Sequence, residues 1–209
     1  MRKLVFAILV SFSVTAAFGQ APSATGVVNA ASFANVNLPN GGIAQGSLFT
    51  IFGSNLGPAA PVTPNAFPLE NTLGGSSVTV TVGGMTLDCP VVVSFASQLS
   101  AIMPSNAPTG DGTLTVSTAG GQASVAVQVV AHSPGIFALS SAGAGPGVLT
   151  TPAFTVNTLV SAAMSGQQWD VWVTGLGGIQ GNDADAPPVG NLPYDIQVTV
   201  GGRPAEVVY

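Results

Sequence analysis

Ser47-Leu-Phe-Thr-Ile-Phe-Gly-Ser-Asn-Leu-Gly57 returns 120 residues later as Trp169-Asp-Val-Trp-Val-Thr-Gly-Leu-Gly177. Each copy runs into a loop of Pro and small residues and then into a matching strand. Those strands are Val78-Thr-Val-Thr-Val-Gly-Gly84 and Ile196-Gln-Val-Thr-Val-Gly-Gly202, related by an offset of 118. A period near 120 is too long for a solenoid and fits one β-sandwich plus a linker. The expected fold is therefore all-β, as tandem immunoglobulin-like β-sandwiches.

Working outward, alternation supports strands on either side of the first copy. Leu114 and Val116 alternate with Thr113 and Thr115, and Val125, Val127 and Val129 share one face of the next segment. Period-two patterning of this kind puts one face in a core and the other in water. The strands expected in the first unit are Ser47–Phe52, Ser76–Val82, Met85–Ser94, Ser100–Met103, Gly112–Ser117 and Gln122–Val130. Ala119-Gly-Gly-Gln122 is a hairpin turn between the last two. In the second unit, strands are expected at Gln168–Thr174, Asp195–Val200 and Ala205–Tyr209. Measured against the first unit, the second is incomplete at its C-terminus. That leaves an open edge and an uncovered core face. A truncated chain is the favoured explanation, and completion by a partner strand or strand-exchanged self-association is the other.

Residues 1–19 read as a signal peptide. Arg2 and Lys3 precede an apolar run from Leu4 to about Val14, and Ala17-Phe-Gly19 offers small residues before Gln20. Residues 20–40 form an extended lead-in able to add one edge strand. The first sandwich is expected over 41–138, a linker over 139–147, and the partial second unit over 148–209. Gly143-Ala-Gly-Pro-Gly147 lacks the Lys and the helix of a phosphate loop and belongs to that linker. The expected location is secreted or at the cell surface, with no membrane insertion after cleavage.

Without the first 19 residues, Arg203 stands alone against eight acidic side chains, a net charge of seven negative. One cation cannot neutralise a run of phosphates, so no nucleic acid partner is expected. Docking on anionic lipid fails for the same reason. Cys89 is the only cysteine, so no disulfide framework holds the exported chain.

Several separate phrases carry a resemblance. They are Val28-Asn-Ala-Ala-Ser-Phe33, Ile43-Ala-Gln-Gly-Ser-Leu-Phe-Thr-Ile-Phe-Gly-Ser-Asn-Leu-Gly-Pro58, Ser133-Pro-Gly-Ile-Phe137 and Val198-Thr-Val-Gly-Gly-Arg-Pro-Ala-Glu-Val-Val-Tyr209. With these the chain resembles the Solibacter-type uncharacterised C-terminal domain family, found mostly in exported acidobacterial proteins. It is also similar to the wider IPT/TIG immunoglobulin-like group, which shares the Gly-x-Asn-Leu-Gly turn. The resemblance implies a module appended to large secreted proteins, in a family with no agreed biochemical activity. The family's usual final strand is absent here, and no long catalytic or propeller region precedes the module.

Candidate chemistry is sparse, and the chain is expected not to be an enzyme. His132 is the only histidine and sits in an Ala-His-Ser-Pro turn without a nucleophile elbow. Asp88 beside Cys89 would raise the thiol pKa, the reverse of what a nucleophile needs. Scattered acids do not make a glycosidase pair. Asp183 and Asp185 lie at alternate positions of Gly181-Asn-Asp-Ala-Asp-Ala186. A weak calcium site there competes with an ordinary solvated turn, because the EF-hand Glu and Gly are missing. No other cofactor is expected. Trp169 and Tyr194 are the candidates for stacking on a sugar, whereas Trp172 aligns with Phe52 and is expected in a core. The leading reading is a non-catalytic spacer or adhesion element meeting a protein or glycan at the cell surface. The alternative is a carbohydrate-binding accessory module of a larger secreted protein.

Overall fold

The computed structural model describes residues 19–34, 38–158, 160–187, 190 and 193–208. The export segment expected at 1–19 lies almost wholly outside them. The described residues form only strands and irregular structure, with no helix. The strands are β1 (Ser23–Asn29), β2 (Ile43–Ala44), β3 (Leu48–Ser54), β4 (Thr72–Leu73), β5 (Ser76–Val82), β6 (Met85–Cys89), β7 (Val91–Phe95) and β8 (Gln98–Ile102). There follow β9 (Gly110–Thr118), β10 (Gly121–Val130), β11 (Gly135–Ile136), β12 (Leu149–Thr150), β13 (Asp170–Val171), β14 (Val173–Thr174), β15 (Val198–Val200) and β16 (Arg203–Ala205). The protein is all-β.

Two sheets share one core. The first has the order β1-β3-β8-β7, and the second β2-β10-β9-β5 with β4 and β6 on the far edge of β5. Every pairing is antiparallel except β2 with β10, where Ile43 lies opposite Val129. The alternation seen in sequence holds: Leu114 and Val116 of β9 and Val127 and Val129 of β10 are buried. They meet Val27, Phe49, Ile51, Val91 and Leu99 from the other sheet in a single cluster. The residues 20–40 do contribute an edge strand, because Val27 to Asn29 pair with Ile51 to Phe49.

The sequence reads Met85–Ser94 as one strand, and the structure divides it. Cys89 still pairs with Val78 of β5, but Val91 pairs with Ala101 of β8 in the opposite sheet. Pro90 makes the division. It has no N–H to give a ladder, while its carbonyl accepts from Ile102 N at 2.9 Å.

From Gly135 onward the chain rebuilds the start of the first unit. Gly135 and Ile136 pair with Thr174 and Val173, and Leu149 and Thr150 pair with Val171 and Asp170. Shifted by 120, the latter four partners are the positions of Ser54, Gly53, Ile51 and Thr50, which β1 pairs in the same sequence. β1 carries a bulge between Ala24 and Gly26. At the same register position the second copy carries the whole 138–147 segment. That segment is a closed loop rather than a free linker, joined by the Ala138–Gly147 bridge and by Leu139 N donating to Pro146 O at 2.9 Å.

Finer details also repeat. Phe33 and Phe154 both have positive φ (50° and 61°). Their rings lie 5.9 Å from Phe52 and 6.3 Å from Trp172 respectively. The hairpin Val82-Gly-Gly-Met85 recurs as Val200-Gly-Gly-Arg203, with φ of 58° and 78° in one and 59° and 78° in the other. Two consecutive positive φ values are the type I′ geometry that glycine supplies without steric cost. What does not repeat is the cover. Val82 is 3% exposed and its counterpart Val200 is 70% exposed; Ile51 is 0% exposed and its counterpart Val171 is 41% exposed. Trp172, expected in a core, is 45% exposed. Its counterpart Phe52 lies on the outer face of its sheet beside Phe33, so the alignment held and the inference of burial did not.

Candidate functional site

Three of the quoted phrases, those of Asn29, Leu48 and Ser133, come together along the seam between the two copies. Asn29, 1% exposed at the end of β1, is its hub. Asn29 Nδ2 donates to Ser133 O at 2.9 Å, and Asn29 Oδ1 accepts from the N–H groups of Ala31 and Ser32 at 2.9 and 3.1 Å. Ser133 N donates to Gly175 O at 2.9 Å, and its hydroxyl donates to Asn40 O at 2.8 Å. A Cβ on Gly135 would stand 2.8 Å from Asn29 Oδ1, and one on Gly175 would stand 2.1 Å from Ser133 O. Both positions therefore need glycine for the close approach. Beside them Leu48 N donates to Thr174 Oγ1 at 2.9 Å.

The seam continues through the residues singled out in the sequence. The His132 ring stands edge-on to Tyr194, with centroids 4.8 Å apart, and its Nδ1 donates to Leu176 O at 2.7 Å. The Tyr194 hydroxyl donates to Gly178 O. Asp183 accepts from Ser105 N at 2.8 Å and from Ser105 Oγ at 2.5 Å, while Ser105 Oγ accepts from Ile179 N. Leu69 N then donates to Ala184 O. At this end the two copies leave an open cleft of about 740 Å³, lined by Asn71, Asp88, Asn106, Asn182 and Asp183 among others.

The expected site residues are thus dispersed. Tyr194 is committed to the seam. Trp169 is half-buried elsewhere, with its indole N–H buried and without a partner. Asp183 turns both carboxylate oxygens to Ser105, whereas Asp185 accepts from its own neighbour Asn182 Nδ2 at 3.2 Å. Among the described residues no His, Cys or third acidic group joins them. Sequence reasoning passed over Asn29, Ser105 and Ser133. Only the two phrases that contain Asn29 and Ser133 marked their surroundings.

Cys89 lies fully buried in the core. Burial, and after it the charge of Asp88, pushes its thiol far above the usual range. The protonated thiol is therefore a native-state property. Above about pH 8.5 the unfolded chain ionises its thiol while the folded chain does not, so stability is expected to fall with rising pH. Labelling with a small disulfide reagent should be negligible in the folded protein and complete in denaturant. Rapid native labelling would show that the core opens on the reagent's timescale.

No protein-family model and no curated protein matches the chain. Among solved structures, one similar chain is from Bacteroides vulgatus ATCC 8482 and is provisionally described as a bacterial DNA binding protein. It is 20% identical with a TM-score of 0.37, over 52% of this chain and 47% of that one. Another is an auxiliary nutrient binding protein from Bacteroides thetaiotaomicron VPI-5482, 16% identical with a TM-score of 0.30, over 63% of this chain and 23% of that one. The chain thus spans about half the length of the first and about a quarter of the second.

Proposed function

We propose that this chain is a non-catalytic, exported pair of immunoglobulin-like units, the second open, that acts as a spacer or adhesion element at the cell surface. The observation that carries it is where the distinctive phrases go. Asn29, Ser133, Gly135 and Gly175 are spent on joining one unit to the next, through bonds to backbone atoms, and not on lining a solvent-filled site. The strand order supports the fold. Reading β1, β3, β8 and β7 as A, B, E and D, and β5, β9 and β10 as C, F and G, gives the immunoglobulin arrangement. The parallel β2–β10 pair then stands as a second half of strand A. The resemblance to the IPT/TIG group and to the Solibacter-type family agrees with this reading. The seven-negative charge opposes phosphate-rich partners.

Expression of the full chain in a bacterial host, followed by fractionation and mass spectrometry of the N-terminus, tests export. A mature protein beginning at Gln20 outside the cytoplasm is expected. An intact Met1 form confined to the cytoplasm would sink the proposal.

One observation favours the second reading, a carbohydrate-binding accessory module. Trp172 and Phe154 present exposed rings with centroids 6.3 Å apart. On that reading Trp172→Ala lowers affinity for a glycan at least tenfold in a titration followed by calorimetry. An unchanged affinity, or no binding across a glycan panel, removes it.

A further inference from the structure

The backbone leading into β1 is clasped from two sides. Ala21 O accepts from Asn55 Nδ2 at 3.1 Å, and Ser23 pairs with Ser54 as the strand begins. Asn55 reaches it from a positive φ of 55°, a conformation that Asn adopts more readily than most side chains. A Cβ on Gly53 would collide with Ser23 O, and one on Gly120 with Gln20 O. Pro22 is buried beside Gly121. The Gly53-Ser-Asn55 turn and the Ala119–Gln122 hairpin therefore fix the chain from the Gln20 carbonyl onward. Gln20 itself stays exposed.

Cleavage after Gly19, the export reading on which the proposal rests, makes Gln20 the first residue. It also removes Lys3, the single lysine of the chain. Between Gln20 and Tyr209 the α-amine is then the one primary amine. With a pKa of about 8, an α-amine is partly unprotonated at neutral pH and so nucleophilic. Its target lies in the same residue, because the Gln20 carboxamide carbon is within reach of an unstrained lactam ring.

We propose that the exported chain closes Gln20 into pyroglutamate, so that Gln20 to Tyr209 carries no primary amine. The α-nitrogen bonds to Cδ, the Cδ–Nε2 bond breaks, and the proton given up by the α-nitrogen leaves with Nε2 as ammonia. No other reactant is consumed. The clasp leaves this step free, since the ring forms upstream of the carbonyl that the hairpin holds. Closure removes the terminal positive charge and leaves Arg203 as the one fixed cation past Gly19. It also blocks stepwise trimming toward Ser23, where β1 begins, and β1 ends on Asn29, the hub of the seam. A chain without amines is inert to the aldehydes and reducing sugars that react through them.

The missing lysine makes the test direct. The full chain is expressed with export, aged at neutral pH, treated with an amine-specific acylating ester, and read by intact and N-terminal peptide mass. A mature chain lighter by one ammonia and without label is expected. Pyroglutamyl peptidase applied to the unfolded chain should expose Ala21 and restore a single label. Gln20→Ser should yield a mature chain with one label at its N-terminus. Labelling precedes digestion, so ring closure during handling cannot imitate the result. A Gln20 amine that takes the label overturns the proposal and leaves export standing, as does cleavage at another bond. A retained Met1, with labels on Met1 and Lys3, overturns both.

Discussion

Asn29→Ala is expected to lower the unfolding free energy by about 3 kcal/mol or more, since each buried polar group left without its partner costs about 1–3 kcal/mol. Three groups lose their partner at once: the carbonyl of Ser133 and the N–H groups of Ala31 and Ser32. Water cannot readily replace a side chain that is 1% exposed. Urea denaturation measures the loss. Limited proteolysis is expected to release the segment after Ser133 early, because Asn29 ties it to β1. Asn29→Asp tests the donor to Ser133. Its carboxylate still accepts from Ala31 and Ser32 but faces the Ser133 carbonyl as a buried unpaired charge. Early release should therefore persist, and the stability loss at neutral pH should be at least as large as in Asn29→Ala. A change below about 1 kcal/mol in Asn29→Ala would show that the seam closes without this residue.

Phe49→Ala should cost about 3–5 kcal/mol, the usual range for emptying a buried aromatic site. Phe49 is 0% exposed, lies between Asn29 on β1 and Ala101 on β8, and belongs to the shared core. In a domain whose total stability is typically about 5–15 kcal/mol, such a loss brings the unit near unfolding at ambient temperature. The informative comparison is Trp169→Ala, at the same register position of the second copy. Among the described residues no second sheet covers Trp169, so its truncation should change global stability by less than about 1 kcal/mol despite the larger side chain. Equal losses for the two variants would mean that the second copy has a packed core of its own.

The repeat, the hairpin turn at Ala119–Gln122 and the alternation of β9 and β10 were legible because each depends on neighbours in sequence. Leu114, Val116 and Val127 declare a face through period two, and Gly120-Gly121 declare a turn through the absence of Cβ. The seam was not legible. Asn29 and Ser133 stand 104 residues apart, and a single hydrogen bond at that separation leaves no periodic trace. Gly135 and Gly175 look in sequence like ordinary turn residues, although a close backbone approach is what requires them. Pro90 was visible, but a strand can end at proline or change sheets there, and only the partner of Val91 decides. Trp172 shows the opposite hazard, because a correct alignment to Phe52 says nothing about which face of the sheet Phe52 occupies.

The loop at 138–147 offers a position for grafting. It occupies the register site where β1 accommodates one additional residue, and the ladder on either side of it keeps the same pairing. Chain length at that point is decoupled from strand register. Loop-closure entropy grows only slowly with length, so a foreign peptide or tag placed between Ser140 and Pro146 adds little to the cost of folding. The site is thus a natural port for display on this scaffold, held at both ends by strands that already tolerate an interruption.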